Sequence, residues 1–229
     1  MHFHFTEEQQ AFADSVRRFA QRELADGALE RAHSHDYPWD VASKLAAQGM
    51  LGITVKEEDG GIGGSLMDAV IAIQELALVC PKSADVVQAG NFGAIRTFAE
   101  YASPELKERF LPDLIAGKSL LALGMSEPGA GSDLQGVKTN AVKDGDHYIL
   151  NGSKTFITNG QNADIVIVVA KTDPSKGAKG TSLLIVEEGM EGFQKGKNLK
   201  KVGMKAQDTS ELFFQDVKVP AENLIGDEG

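Results

Sequence analysis

The sequence predicts an α+β protein in which an all-α domain is followed by an all-β, barrel-like domain. Apolar residues recur at helical spacing from residue 6 to about residue 116. From Leu120 onward the pattern changes to short apolar runs, separated by turn dipeptides such as Asp144-Gly145. Many short strands at this spacing are typical of a barrel or a sandwich. We therefore predict a helical domain at residues 1–118 and a β domain at residues 119–229.

Cap and breaker residues predict the limits of five helices in the first domain. The first helix begins at Thr6, with Gln9 at the capping-box position, and the last begins at Ser103-Pro104-Glu105. The three between them run from Pro38 to about Gly49, from Ser65, with Asp68 three residues on, to Pro81, and from Ser83 to Tyr101. Pro112 falls inside the last pattern and predicts a kink or an early end of that helix. The single cysteine, Cys80, lies on the third apolar pattern, and we interpret it as a small buried hydrophobe.

Seven short apolar runs are predicted as strands of the second domain. The runs are Leu120–Leu123, Val137–Val142, Tyr148–Leu150, Lys154–Thr158, Ile165–Ala170, Leu183–Val186 and Leu212–Phe214. The turn signals between them are Asp144-Gly145, Asn151-Gly152, Asn159-Gly160, Pro174 to Gly180, and Gly189. Each run is therefore predicted to end at a turn before the next one begins.

Composition and charge narrow the range of functions. The 229 residues carry a net charge of −10, which argues against a nucleic-acid-binding protein, since such proteins present basic patches. One cysteine cannot form an internal disulfide framework, and it fits a reducing compartment. The sequence has no apolar run of membrane-spanning length and no secretory leader. We therefore expect no membrane contact and a cytoplasmic protein, or a protein of the mitochondrial matrix whose leader has been removed.

Several catalytic and metal-binding signatures are missing from the sequence. It contains no HExxH, CxxC or GxSxG pattern, which argues against a zinc protease, a thioredoxin-like protein and an α/β-hydrolase. His33 and His35 have a two-residue spacing, but no cysteine or carboxylate cluster completes a site around them. We interpret both histidines as solvated loop residues and predict no metal site.

The stretch Leu120–Gly136 joins a predicted strand to a glycine-rich loop with free hydroxyls. Glycine lets a backbone approach a ligand closely, and successive N–H groups in such a loop can bind an anion. A dinucleotide fingerprint is excluded because Leu134 takes the place of its third glycine, and a P-loop because Ser132 and Asp133 follow Gly131. Two interpretations stay open: a phosphate cradle, or a strand that ends in an ordinary Pro-Gly surface turn.

A second candidate segment is Phe156-Ile157-Thr158. Side chains alternate along a strand, so Phe156 and Thr158 are predicted to lie on the same face. An aromatic ring beside a hydroxyl suits a flat heterocycle, because one can stack on it and the other can hydrogen-bond to it. A strand that turns Phe156 into the core explains the same pattern equally well.

Three stretches, in this order, resemble the acyl-CoA dehydrogenase family. They are Gly124–Asp133 closed by Gly136, Asn151–Gly160, and Gly203–Lys205 with Thr209–Leu212 running on to Val217–Pro220. The likeness extends from Phe5 to Gly226. Members of this family are FAD enzymes that desaturate acyl-CoA thioesters. The resemblance implies their helical N-terminal domain followed by their middle β domain.

The resemblance also implies which residues bind the flavin. The expected cofactor-binding residues are Leu123, Gly124, Met125, Ser126, Gly131, Ser132, Phe156, Ile157 and Thr158. By that likeness Met125 and Ser126 meet the pyrimidine side of the ring. Gly131 and Ser132 lie along the pyrophosphate, and Ser132 is also expected near the CoA part of the substrate.

The aromatic position departs slightly from the family. Phe156 is expected to cover one flavin face, where many members carry tryptophan, and Thr158 to hydrogen-bond to N5, the hydride-accepting atom. Phenylalanine keeps an aromatic plane at that position. The difference therefore leaves the expectation of flavin binding intact.

The reaction implied by the resemblance is α,β-dehydrogenation. A carboxylate base removes a proton next to the thioester carbonyl, and the flavin accepts hydride from the β carbon. In the family, a helical bundle after the β domain carries that base, part of the flavin site and most oligomer contacts. The sequence ends at Gly229, where such a bundle is expected to begin, so we expect no catalytic residue in this chain. Glu127 of the glycine-rich loop is not a substitute for the base by that likeness.

The resemblance further implies the partners of the complete protein. They are an acyl-CoA substrate, an electron-transfer flavoprotein that receives the electrons, and further copies of the chain in a homo-oligomer. Two other interpretations stay open. In one, the chain is a non-catalytic or partner-completed subunit of an acyl-CoA dehydrogenase-like complex. In the other, it is a superfamily member with other chemistry, such as an oxidase or a desulfinase.

Overall fold

Helices and strands fall into two separate units in a computed structural model, which describes residues 4–229. One unit contains residues up to 99, 110–118 and 202–207; the other contains residues 100–109, 119–201 and 208–229. Helices make up most of the first unit, and the strands of the described chain lie in the second. The α+β class predicted from the sequence is confirmed. The exact domain limits of 1–118 and 119–229 stay a prediction.

Seven α-helices occur within residues 4–229. They are α1 (Glu7–Glu23), α2 (Ala28–Arg31), α3 (Trp39–Ala47), α4 (Leu66–Ala77), α5 (Pro81–Ala89), α6 (Ala94–Tyr101) and α7 (Pro104–Ile115). Capping boxes begin α1 and α4, at Thr6 with Gln9 and at Ser65 with Asp68, which confirms both predicted caps. No helix among these combines the length and the apolar character needed to cross a bilayer.

Three predicted helix boundaries are wrong. Helix α4 ends at Ala77, and Pro81 begins the next helix instead of ending this one, because proline fits the first helical turn. The pattern from Ser83 to Tyr101 is two helices, since the chain turns at Gly93 with a φ of +62°. Helix α7 continues past Pro112, whose carbonyl accepts the Ala116 N–H at 3.0 Å, so the predicted early end is wrong and the kink stays a prediction.

Cys80 is buried, as predicted, but it lies between α4 and α5 and not on a helix face. Its sulfur accepts hydrogen bonds from Ser83 Oγ at 3.0 Å and from Arg31 Nε at 3.4 Å. Burial alone would raise the pKa of the thiol, but hydrogen bonds from Ser83 and Arg31, together with the charge of Arg31, outweigh it and lower the pKa. The residue therefore joins α2 to the start of α5 through polar contacts.

Eight strands of the described chain form one mixed sheet. They are β1 (Leu121–Gly124), β2 (Asn140–Asp144), β3 (His147–Thr158), β4 (Ile165–Lys171), β5 (Thr181–Glu187), β6 (Phe193–Asn198), β7 (Thr209–Pro220) and β8 (Leu224–Ile225). Their order is β6-β7-β3-β2-β4-β5-β8, and β1 pairs in parallel with β4 off this path. The path does not close within residues 4–229, so the barrel-like domain is an open sheet. Strands β6 and β8, which the sequence did not predict, form its two ends.

Strand β3 was predicted as two strands with a turn at Asn151-Gly152, and this prediction is wrong. The strand continues through Gly152, where its register against β7 shifts between Leu150 and Gly152. A β-bulge explains this, because it adds a residue to one strand without ending the pairing. The continuous strand carries Lys154–Thr158 to the far end of the sheet.

The apolar core of the sheet holds β1, the strand that precedes the glycine-rich loop. Inward-facing residues of β4 and β5, such as Val166, Val168 and Leu184, are fully buried. Strand β1 lies parallel to β4, with Leu123 opposite Ile167. The loop that follows β1 therefore leaves the sheet from a firmly packed strand.

Candidate functional site

The glycine-rich loop begins with a tight turn at the end of β1. The Glu127 and Ala130 backbones exchange two hydrogen bonds, of 2.8 and 3.1 Å, around Pro128-Gly129. This part of the loop is the Pro-Gly turn that the sequence left open as one interpretation. Beyond the turn, Gly131 and Ser132 are both exposed.

The space beside the loop glycines is open. A Cβ added at Gly129 or Gly131 would meet no atom within 4 Å. Neither residue has a positive φ, so backbone conformation does not require glycine at either position. Free space against an exposed backbone is what close approach of a ligand needs. The other interpretation, a phosphate cradle, therefore fits Gly131 and Ser132 beyond the turn.

A buried ion pair holds the loop from below. Glu127 and Lys154 are 2.9 Å apart, and both side chains are almost completely buried. The Glu127 carboxylate also accepts hydrogen bonds from the N–H groups of Lys138 and Thr139, at 2.7 and 2.9 Å. Lys154 donates a second bond to the Met125 carbonyl at 3.1 Å. The pair thus ties the loop to β3.

The charge state of this pair follows from its hydrogen bonds. Burial alone would raise the pKa of Glu127, but bonds from Thr139, Lys138 and Lys154 outweigh it and lower the pKa from its ordinary 4.5 to about 2. Burial lowers the pKa of Lys154, and the Glu127 carboxylate opposes that change. Glu127 is therefore ionised at neutral pH, with both oxygens already accepting bonds. This geometry agrees with the expectation that Glu127 is not a free base.

Sequence reasoning missed this ion pair. The two residues are 27 positions apart, and each lies in a different motif. Their meeting depends on the proximity of β1 and β3, which no local pattern reveals. A charged residue placed within an otherwise apolar or glycine-rich stretch was the one available signal, and it did not indicate a partner.

Phe156 is exposed and has an unusual backbone. Its side chain is 68% exposed, although its neighbours Thr155 and Ile157 are buried. Its φ is +59°, a left-handed conformation that costs about 1 kcal/mol for a residue other than glycine. The register between β3 and β7 shifts between Lys154 and Ile157, so a bulge produces this conformation. The alternative that turned Phe156 into the core is wrong.

Thr158 shares the exposure of Phe156, whereas Ile157 between them is buried. Phe156 and Thr158 are therefore both accessible to a ligand, and their common face stays a prediction. The Thr155 N–H donates to the Ser126 carbonyl at 2.9 Å, so this segment begins beside the glycine-rich loop. The structure thus brings Met125 and Ser126 next to the strand that bears Phe156 and Thr158, while Gly131 and Ser132 lie farther along the loop.

These residues together fit a flavin nucleotide. Phe156 offers an exposed ring, Thr158 and Ser132 offer exposed hydroxyls, and Gly131 leaves its backbone accessible. Leu123, Gly124 and Ile157 are half-buried or buried, and they support the site from the sheet side. The described residues contain no group of three or more His, Cys, Asp or Glu side chains that could hold a metal ion. His33 and His35 are exposed.

Family comparisons match nearly the whole chain. Residues 6–118 match the acyl-CoA dehydrogenase N-terminal domain, and residues 122–217 match the acyl-CoA dehydrogenase middle domain. The chain is 46% identical over 232 residues to the long-chain specific acyl-CoA dehydrogenase, mitochondrial, of Sus scrofa. That match covers 98% of this chain and 52% of the pig protein.

Solved structures give the same result. The crystal structure of an acyl-CoA dehydrogenase from Geobacillus kaustophilus matches with a TM-score of 0.91 and 40% identity, over 100% of this chain and 60% of that one. A glutaryl-CoA dehydrogenase from Mycobacterium smegmatis, in complex with FADH2, matches with a TM-score of 0.88 and 29% identity. That match covers 98% of this chain and 57% of the other. The chain thus spans between half and two thirds of the length of these relatives.

Proposed function

Because this chain belongs to the acyl-CoA dehydrogenase family, we propose that it forms the FAD- and thioester-facing part of an enzyme that desaturates acyl-CoA. The observation that carries the proposal is the exposed ring of Phe156, held in a left-handed backbone beside Thr158. Strained residues persist where the surrounding structure holds them, and they cluster at functional sites. An exposed aromatic ring beside a hydroxyl suits a flat heterocycle.

In this proposal each segment holds a different part of the cofactor. Phe156 would cover one face of the isoalloxazine ring, and the Thr158 hydroxyl would hydrogen-bond to N5. Met125 and Ser126 meet the pyrimidine side, supported by Leu123 and Gly124 below. Further along the loop, Gly131 and Ser132 receive the pyrophosphate, and Ser132 also faces the CoA part of the substrate. Support comes from the open space at Gly131 and the exposure of Ser132.

The proposed reaction removes one proton and one hydride from the acyl group. A carboxylate takes the proton from the α carbon, and a C=C bond forms between the α and β carbons as hydride leaves the β carbon. Bound FAD supplies the hydride acceptor. Glu127 is not assigned the role of this base, since its carboxylate already accepts bonds from two N–H groups and a lysine. The chain's own contribution is orientation of the cofactor and substrate.

The remaining partners are proposed from the family. An electron-transfer flavoprotein takes the electrons, and the complete protein is a homo-oligomer in the cytoplasm or the mitochondrial matrix. Acyl chain length is the property most open to experiment. A dye-reduction assay of the complete protein over short, medium, long and aromatic acyl-CoAs, with FAD in excess, identifies the substrate, and oxygen consumption without dye distinguishes an oxidase.

FAD titration tests the role of Phe156 directly. Phe156→Ala is expected to weaken FAD binding at least about fivefold, because an aromatic contact contributes about 1 kcal/mol beyond its buried area. Phe213→Ala is the matched control, since Phe213 is a second exposed phenylalanine of the same unit, on β7. Quenching of flavin fluorescence measures both affinities. Equal affinities for the two variants would contradict the proposed flavin site.

A further inference from the structure

The turn Asn159–Ala163 follows Phe156–Thr158 and is held by a buried carboxylate. Asp208 is 1% exposed. Its Oδ1 accepts the Gln161 N–H at 3.2 Å, and its Oδ2 accepts the Asn162 N–H at 3.2 Å together with the Asn162 side-chain amide. Its carbonyl oxygen accepts the Asn159 N–H at 3.2 Å. One aspartate thus holds the turn at three of its residues.

A second group holds the same turn from its other end. Lys195 Nζ donates to the carbonyl oxygens of Gln161 and Ala163, at 3.1 and 2.8 Å, and pairs with Glu188 at 2.8 Å. The Gln161 side chain donates to the Gly196 carbonyl at 2.5 Å. Since Asp208 accepts from N–H groups and Lys195 donates to carbonyls, the turn backbone has partners for N–H groups and for C=O groups alike.

This turn directly follows the paired end of β3. Thr158 lies opposite Thr209, the residue directly after Asp208. Between Lys154 and Ile157 the pairing is irregular, and there Phe156 adopts its left-handed conformation. The bulge is thus bounded by the Glu127–Lys154 pair on one side and by the Asp208 turn on the other. A strained conformation persists only where its surroundings determine it fully.

We propose that Asp208 is a positioning residue for the flavin-facing segment Phe156–Thr158, acting through the turn Asn159–Ala163. The inference rests on the proposed function, because it assumes that this segment meets FAD. It assigns a role to the motif Gly203–Leu212, which the flavin contacts themselves do not use. Pre-ordering the segment lowers the entropy lost when a ligand binds, so loosening the turn weakens FAD binding without removing any flavin contact.

Asp208 does not fit the role of the missing base. Both carboxylate oxygens accept hydrogen bonds from the turn, and the residue is almost completely enclosed. A general base needs a free oxygen within reach of the substrate proton. Its action is therefore indirect, through the backbone that it holds.

The test compares Asp208→Ala with Asp208→Asn and with a control for general destabilisation. The D208N side chain keeps the shape and one acceptor oxygen, so this variant should rescue part of the loss. Asn223→Ala is the control: the Asn223 side chain is buried and donates to the Ile185 carbonyl at 3.0 Å, on the β5–β8 side of the same sheet. All variants are compared at a temperature at which circular dichroism shows each to be folded.

Two measurements are made on the 229-residue chain. Hydrogen exchange, followed by mass spectrometry on peptides that cover residues 156–163, reports the turn without FAD. FAD titration reports the affinity. D208A should speed exchange in this peptide and weaken FAD binding about tenfold, the effect of one or two lost hydrogen bonds. N223A should leave both readouts at the wild-type value, and D208N should fall between wild type and D208A.

The outcomes separate this inference from the proposed function. Wild-type binding of FAD with unchanged affinity in D208A overturns the inference alone, as does an equal loss of affinity in N223A. If the wild-type chain binds no FAD, the titration is made on the complete protein, and absence of binding there overturns the proposed function and the inference with it. If D208A does not fold, Lys195→Met carries the test, since it releases the turn carbonyls. Faster exchange with wild-type affinity in that variant overturns the inference.

Discussion

Gly131 and Gly152 lie in two different motifs of the sheet unit, and their surroundings are opposite. A Cβ at Gly131 would meet nothing within 4 Å, whereas a Cβ at Gly152 would lie 2.4 Å from Thr139 Oγ1 and 2.7 Å from Thr139 Cα. Gly152 also has a φ of +147°, and Gly131 has no positive φ. The fold therefore requires glycine at position 152 and does not require it at position 131. A glycine that the fold does not need is the better candidate for ligand contact.

The largest effect is expected from the ion pair beneath the open loop. Glu127→Gln should lower the free energy of unfolding by about 4 kcal/mol, because it leaves the buried Lys154 without its counter-charge. Urea unfolding of the apo chain measures the loss. Glu58→Gln is the control, since Glu58 pairs with Lys56 on the surface, with side chains 72% and 73% exposed. That variant should change stability by less than about 0.5 kcal/mol.

The pH dependence of stability gives an independent check on Glu127. Its pKa is lowered from 4.5 to about 2 on folding, so its ionised form stabilises the native state. This stabilisation is fully present above the unfolded-state pKa of 4.5 and is lost as the pH falls from there toward about 2. Relative to wild type, E127Q should therefore show a shallower fall in stability over that window. A parallel fall in both proteins would show that the pair does not hold the loop.

The second prediction tests the two glycines against each other. Gly152→Ala should cost about 3 kcal/mol of stability, because the new Cβ overlaps Thr139 and alanine disfavours the backbone conformation. Gly131→Ala should change stability by less than about 0.5 kcal/mol, since nothing in the protein opposes the added methyl group.

FAD titration then sharpens the comparison. G131A should weaken FAD binding although its stability is normal, because the methyl group occupies the space proposed for the pyrophosphate. G152A, at a temperature at which it is folded, should bind FAD as wild type does. Normal affinity in G131A would place the pyrophosphate elsewhere, and a stable G152A would show that Thr139 can move aside.

Local signals account for what the sequence predicted correctly in the fold. The caps at Thr6 and Ser65 bond to residues three positions away, so a short pattern contains all the information. At Asn151-Gly152 the same kind of reasoning failed, because this dipeptide marks a turn in one context and a bulge in another. Only the pairing of β3 with β7 distinguishes the two. Strand β6 escaped prediction because Phe193–Asn198 lacks an alternating apolar pattern.

The candidate site divides in the same way. Alternation along a strand predicted a shared face for Phe156 and Thr158, and the structure exposes both residues, although the bulge at Phe156 interrupts the alternation. Which face was buried did not follow from alternation, since a one-residue shift in register exchanges the two faces. Two contacts join residues that are distant in sequence: the ion pair of Glu127 with Lys154, and the hydrogen bonds from the turn Asn159–Ala163 to Asp208. These contacts depend on which strands become neighbours in the sheet, and local patterns in the sequence do not reveal that order.

The smallest effect is expected at Thr158, and it concerns the cofactor alone. Its side chain is exposed, so Thr158→Val should leave the stability of the apo chain almost unchanged. In the flavin-loaded enzyme, the loss of one hydrogen bond to N5 should cost about 1 kcal/mol, or roughly fivefold in the rate of flavin reduction. Thr158→Ser keeps the hydroxyl and should restore that rate. Ser132→Ala, at the other part of the proposed site, should instead weaken retention of FAD or CoA. Rapid-reaction kinetics and titration separate the two effects. If valine and serine at position 158 give the same rate of reduction, the hydroxyl makes no bond to the ring, and Phe156 becomes the sole contact assigned to this end of the strand.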